Sequence, residues 1–236
     1  MSIARNIAAI RERIAQAAAQ AGRDPSQITL MTVTKTVDPA RIREAYAAGL
    51  RIFGENRVQE FESKSAALSD CAGAEWRLIG HLQTNKAADA VRAFSAIDTL
   101  DSLRLARKLN AAAEKLGKKI HILLEINIGG EGSKSGFVPG SQELEETLVA
   151  APQLEGLSIR GLMAIPPFSE DPEQARPYFR KLRELCDQIA ARQFPAVSME
   201  VLSMGMSHDF EVAIQEGSTC VRIGTAIFGA RPRTKP

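Results

Sequence analysis

Apolar residues recur three and four apart at Ile3, Ile7, Ile10 and Ile14, the spacing of one helix face, and Gly22 then reads as the helix stop. Beyond Gly22 the period switches back and forth between strand and helix. The β-branched apolar run over 28–34 predicts a strand, and Asp38-Pro39 opens a helix through Tyr46 that Gly49 ends. The same reading predicts strands over 51–53, 76–79, 96–100, 120–127, 157–163, 198–204 and 220–224. Helices are expected between them over about 56–68, 84–94, 102–116, 141–150, 172–192 and 207–216. A glycine-rich loop over 129–136 follows the fifth strand.

Strand after strand followed by a helix means parallel strands with crossover connections. Eight such units in 236 residues predict an α/β fold, a single (β/α)8 TIM barrel with an extra N-terminal helix. A doubly wound open sheet is the alternative. No linker rich in Pro, Gly or Ser divides the chain, so residues 1–236 are expected to form one domain, with residues 231–236 as a frayed tail.

Composition removes several function classes. Lys plus Arg is 30 and Asp plus Glu 28, a net charge of +2 with no basic block, so no nucleic-acid partner is expected. With 44% hydrophobic residues and balanced charge, the chain is not disordered. The three cysteines, Cys71, Cys186 and Cys220, form no CxxC pair, which argues against a disulfide framework or a metal site and for a reducing compartment. Apolar runs are too short to span a membrane. The Ala-rich, Arg-bearing start has some transit-peptide character, but Glu12 and the isoleucine stripe favour an ordinary helix. The expected location is the cytoplasm.

Barrels carry their chemistry at the C-terminal ends of the strands, with phosphate often held after strands seven and eight. Lys35 ends strand one, Asn56 follows strand two, His81 follows strand three, and Ser203-Met204-Gly205-Met206-Ser207 ends strand seven. Arg222 lies within strand eight, and Gly224-Thr225 ends it. Gly205 permits a tight turn, Ser207 reads as the N-cap of the next helix with His208 and Asp209 in its first turn, and Gly224-Thr225 offers a second set of N–H donors. A plain helix cap and a close-packing glycine are the alternative. A lysine buried at a strand end is a nucleophile toward carbonyls, unless it snorkels from the rim. Opposite a phosphate cradle, that amine suggests a Schiff base with pyridoxal phosphate. An inward Arg222 needs an acceptor, either an unprotonated pyridine nitrogen or a carboxylate at the mouth. His81 is a base or a loop histidine capping a carbonyl, and Lys86 a solvated residue or a rim cation.

Long motifs then carry a resemblance over nearly the whole chain. They include Val33-Thr34-Lys35-Thr36, Phe53-Gly54-Glu55-Asn56-Arg57-Val58-Gln59-Glu60, Trp76-Arg77-Leu78-Ile79-Gly80-His81-Leu82-Gln83-Thr84-Asn85-Lys86, Ser133-Lys134-Ser135-Gly136, Gly161-Leu162-Met163-Ala164, Leu202-Ser203-Met204-Gly205-Met206-Ser207 and Arg222-Ile223-Gly224-Thr225-Ala226-Ile227-Phe228-Gly229. The chain resembles the YggS/PROSC-type pyridoxal phosphate homeostasis proteins. That resemblance implies a fold-type III barrel like the alanine racemase N-terminal domain, with pyridoxal 5'-phosphate as cofactor. It implies that Lys35 holds the cofactor as a Schiff base and that Asn56 contacts the ring side. Ser203, Met204, Ser207, Gly224 and Thr225 would bind phosphate, and Arg222 would face the ring nitrogen. Lys134 falls where a second, weaker contact for release is proposed.

The implied role is to hold and buffer the cofactor in vitamin B6 homeostasis, with apo forms of pyridoxal phosphate enzymes as partners and without efficient catalysis. The related racemase needs a second acid/base on the opposite ring face, a tyrosine from a further domain. The sequence stops at Pro236 just after strand eight, and its tyrosines, Tyr46 and Tyr178, lie in no motif at the barrel mouth. The chain is therefore expected not to be an enzyme, and to be monomeric. The alternatives are a weak pyridoxal phosphate-dependent amino-acid racemase using His81 or water, and a phosphosugar enzyme using Lys35.

Overall fold

Eight parallel strands pair in chain order and close on themselves, β1 (Thr29–Val33), β2 (Ile52–Glu55), β3 (Glu75–Leu78), β4 (Ala96–Leu100), β5 (Ile120–Glu125), β6 (Leu157–Met163), β7 (Val197–Met206) and β8 (Cys220–Ile223). The structure is a computed structural model and describes residues 2–132 and 135–229. The ring closes between β8 and β1, where Met31 pairs with Arg222 and Thr32 with Ile223. The predicted TIM barrel is the observed architecture, and the open-sheet alternative falls because a closed ring has no edge strand.

Local signals act where the sequence places them. Asp38 accepts from the Ala40 N–H at 2.8 Å and Pro39 opens α2 (Pro39–Ala47). Ser102 caps α5 (Leu103–Lys115) and Ser141 caps α6 (Gln142–Ala150), each accepting a backbone N–H at 3.3 Å. The predicted N-terminal helix is α1 (Ile3–Gln20); Ile3, Ile7, Ile10 and Ile14 are all buried. It packs on the outer layer beside α2, α8 (Phe210–Gln215) and α9 (Thr225–Phe228), and the Asn6 amide donates to the Ile227 carbonyl at 2.8 Å. No described helix is long and apolar enough to cross a membrane.

Element ends moved where backbone bonding overrides pattern. β7 runs on to Met206, so 207–209 form a turn and α8 starts only at Phe210. The helix expected over 56–68 is α3 (Val58–Ser65) plus a 3-10 turn, Ala66–Leu68. The one expected over 84–94 opens as a 3-10 turn, Thr84–Lys86, before α4 (Ala87–Ala93). The one over 172–192 opens the same way, Pro172–Ala175 preceding α7 (Arg176–Ala191). The short α9 was not predicted. The expected tail, 231–236, and Lys134 lie outside the described residues.

Candidate functional site

A cavity of about 260 Å³ opens at the C-terminal end of the barrel, between the ends of β1, β8 and β7 and the segment after β6. Lys35, Asn56, Ser207, Arg222, Gly224 and Thr225 all line it. Six of the eight residues expected around the cofactor therefore meet at one mouth.

Lys35 sits in the turn directly after β1 and is half-buried. Asn56 follows β2, and its placement depends on Gly80. A Cβ at residue 80 would lie 2.2 Å from the Asn56 carbonyl oxygen and 2.8 Å from its side-chain amide carbon. Gly80 thus makes room for the Asn56 segment to reach the cavity wall.

Arg222 projects inward from β8 and is only 3% exposed. Its guanidinium donates to the Ser203 hydroxyl at 2.8 Å and to the Ala164 carbonyl at 2.9 Å. Burial lowers its pKa from the ordinary value, while Cys220, Asp98, Asp209 and Glu125 act in the other direction. Both hydrogen-bond partners are neutral. Among the described residues no carboxylate lies within ion-pair distance of Arg222, so the expected alternative of a mouth ion pair is not what the fold builds.

Ser203 and Met204 are not in the cavity wall. Both are fully buried, Ser203 beneath Arg222 as its acceptor and Met204 within the apolar layer between barrel and helices. Ser203 thus orients the cation. The reason is register: strand residues alternate in direction, and these two precede the point where β7 reaches the mouth.

Ser207 corrects a second expectation. It does not cap its own helix, because β7 continues past Gly205, where φ is +94° and a Cβ would lie 2.6 Å from that of Ala213. Asp209 takes the N-cap position, and its carboxylate accepts from the Met206 N–H at 2.6 Å. The Ser207 hydroxyl instead accepts from the N–H groups of Gly224 and Ala226, at 3.3 and 3.4 Å. The turns after β7 and β8 are stitched together by donors that converge on one oxygen.

The sequence reading missed one wall entirely. Ile165, Pro166, Pro167 and Phe168, after β6, line the cavity, and Phe168 is 81% exposed with its ring 5.9 Å from that of His208. The proline pair at a strand end was the available signal. His81 lies outside this cavity and its Nδ1 stands 3.1 Å from Asp101 Oδ2, a carboxylate partner rather than a carbonyl. Lys86 pairs with Asp89 at 3.6 Å on the rim. Tyr46 donates to the Ala72 carbonyl at 2.6 Å, and Tyr178 packs against the apolar layer; neither lines the cavity.

Inside the barrel, Asp98 is 1% exposed, and neither carboxylate oxygen has a hydrogen-bond partner. Arg77 approaches it only to 3.8 Å. Burial, against the pull of Arg77 and Arg222, pushes its carboxyl from 3.8 up to about 6. The folded form keeps the proton that the unfolded chain releases, so stability falls as pH rises from about 4 to 6 and the penalty persists above. At ~1.4 kcal/mol per pH unit the gap is worth about 3 kcal/mol. Urea unfolding of wild type and Asp98→Asn at pH 4 and pH 7 should show a larger fall for wild type; parallel pH profiles would refute this placement of the charge.

The donor set fits a small anionic aldehyde: an amine on one wall, a held guanidinium on another, N–H and hydroxyl donors at a third, and apolar faces from Val33, Ile79 and Ile165. Among the described residues no cluster of His, Cys, Asp or Glu could hold a metal ion.

Comparison with known proteins places the fold in a family. The family model for the alanine racemase N-terminal domain matches residues 5–232. A pyridoxal phosphate homeostasis protein from Aquifex aeolicus is 46% identical over 231 residues, covering 98% of this chain and 99% of that one. The protein of the same description from Escherichia coli K12 is 43% identical over 236 residues, covering 99% and 98%. The structure of PipY from Synechococcus elongatus with pyridoxal phosphate bound has a TM-score of 0.84 at 37% identity, covering 97% of this chain and all of that one. Alanine racemase from Streptomyces coelicolor shares the fold, with a TM-score of 0.75 at 20% identity over 60% of its own length. On motif order, barrel and relatives alike, the chain belongs to the family of the pyridoxal phosphate homeostasis proteins, which carry the alanine racemase N-terminal domain.

Proposed function

We propose that this protein binds pyridoxal phosphate at the barrel mouth, holds it as a Schiff base with Lys35, and serves cellular homeostasis of the cofactor without efficient catalysis of its own. The observation that carries the reading is the convergence of Lys35, Arg222 and the Ser207–Gly224–Thr225 donors on one cavity. When bound, the cofactor supplies an aldehyde that an amine captures reversibly, with loss of one water. Lys35 supplies that amine. The Ser207 hydroxyl, whose oxygen is held by the N–H groups of Gly224 and Ala226, would donate its own O–H to the phosphate, beside the Gly224–Thr225 turn that lines the same wall. Asn56 contacts the ring side. Arg222, aimed by Ser203 and Ala164, faces the ring nitrogen as a donor and so favours its unprotonated form.

That arrangement supports a carrier. A ring nitrogen left unprotonated is a weak electron sink, and racemisation needs a proton carrier on each face of the ring. Both tyrosines are engaged away from the cavity, and His81 is turned to Asp101. Pyridoxal phosphate enzymes in their apo form are the proposed recipients. The test is hand-over against turnover. Loaded protein mixed with an apo aminotransferase should restore the transferase activity, while racemisation of L-alanine should not exceed that of free cofactor. Racemisation well above free cofactor, lost in Lys35→Ala, would favour the weak racemase instead.

A further inference from the structure

We infer that Lys64 and Glu60, on α3, form a clamp that positions the Lys35 turn for covalent capture. This rests on the reading of Lys35 as the covalent residue. The residues flanking Lys35 are Thr34 and Thr36, and both are held from α3. Lys64 is 7% exposed, and its ammonium meets three oxygens: the Thr34 carbonyl at 2.9 Å, Glu55 Oε1 at 2.8 Å and Glu60 Oε1 at 3.2 Å. Three acceptors match the three N–H donors of a lysine. Glu60 Oε1 also accepts the Thr36 backbone N–H at 2.5 Å.

That last bond has a conformational task. Thr36 has φ of +61°, the left-handed region that a β-branched residue rarely enters. An isolated chain would relax this residue toward extended backbone and swing Lys35 with it. The Glu60 carboxylate on its N–H, and the Thr36 hydroxyl donating to the Lys35 carbonyl at 2.7 Å, hold the turn. Beneath it, Glu55 is fully buried and also accepts the Thr34 hydroxyl. Lys64 is the cation between Glu55 and Glu60, so it keeps the two carboxylates together under the turn. None of the clamp residues lines the cavity, so they act only through Lys35.

The step at issue is attack of the Lys35 amine on the aldehyde carbon, forming C=N and releasing one water. Its rate depends on where the turn holds the amine, and small misplacements cost orders of magnitude. Stopped-flow absorbance against pyridoxal phosphate concentration separates the non-covalent encounter constant from the covalent rate. Glu60→Ala removes the Thr36 acceptor while Lys64 keeps Glu55 and the Thr34 carbonyl as acceptors. Its covalent rate should fall ~10-fold or more with the encounter constant unchanged, and Glu60→Gln, which keeps an acceptor oxygen, should recover most of it. Lys64→Met should show the same loss with a lower melting temperature. An unchanged covalent rate in Glu60→Ala, or a change confined to the encounter constant, would overturn the clamp. Wild type giving no covalent phase would instead overturn the role of Lys35 itself, a separate result.

Discussion

Lys35→Ala is expected to abolish borohydride-stable labelling by pyridoxal phosphate while leaving the barrel folded. The side chain is half-buried in a turn after β1, and the backbone of that turn is fixed by Thr34 and Thr36, not by the lysine. The residue lies at the cavity wall and outside the apolar core, so the melting temperature should stay within about 2 °C, a shift of under ~1 kcal/mol for a chain of this size. Binding should weaken at least ~100-fold, about 2.7 kcal/mol, because only Arg222 and the N–H donors then hold the ligand. Calorimetric titration reads the affinity. A variant that binds as tightly as wild type would show that the anion donors carry the whole interaction.

Gly80→Ala is expected to damage fold and site together. The added Cβ meets backbone at 2.2 Å, and backbone is not displaced by rotating a side chain. The Asn56 segment must move, and with it the end of β2. Overpacking of this kind costs about 1–3 kcal/mol, or a melting temperature lowered by ~3–10 °C. Because Asn56 lines the cavity, affinity for pyridoxal phosphate should fall ~10-fold as well. Serine at residue 80 should behave like alanine. A Gly80→Ala protein with wild-type affinity would show that Asn56 does not contact the ligand.

The architecture was legible because eight period changes in the chain are eight β-to-α transitions. Isoleucines at helical spacing also found the outer helix α1. The candidate site was legible because strand ends are countable: Lys35, Asn56 and Gly224 each follow a strand, and Arg222 lies one residue inside the end of β8. What escaped depends on partners distant in sequence. Strand direction decides that Ser203 points under Arg222 and not into the cavity wall, and one extra residue of β7 would reverse it. The Ser207 hydroxyl reaches across to the turn after β8, so its cap is invisible to a local pattern. Lys64 reads as an ordinary helix cation until α3 is folded against β2, which sets it 2.8 Å from Glu55. The wall from Ile165 to Phe168 carries no titratable residue, so only its proline pair marks it in the sequence.

The central claim is that one amine among the chain's lysines captures the cofactor. The measurement that tests it most directly is peptide mapping of wild-type protein reduced with borohydride in the presence of a molar equivalent of pyridoxal phosphate. A single adduct is expected, on the peptide carrying Lys35. Label spread over several lysines, or concentrated on a lysine other than Lys35, would contradict it.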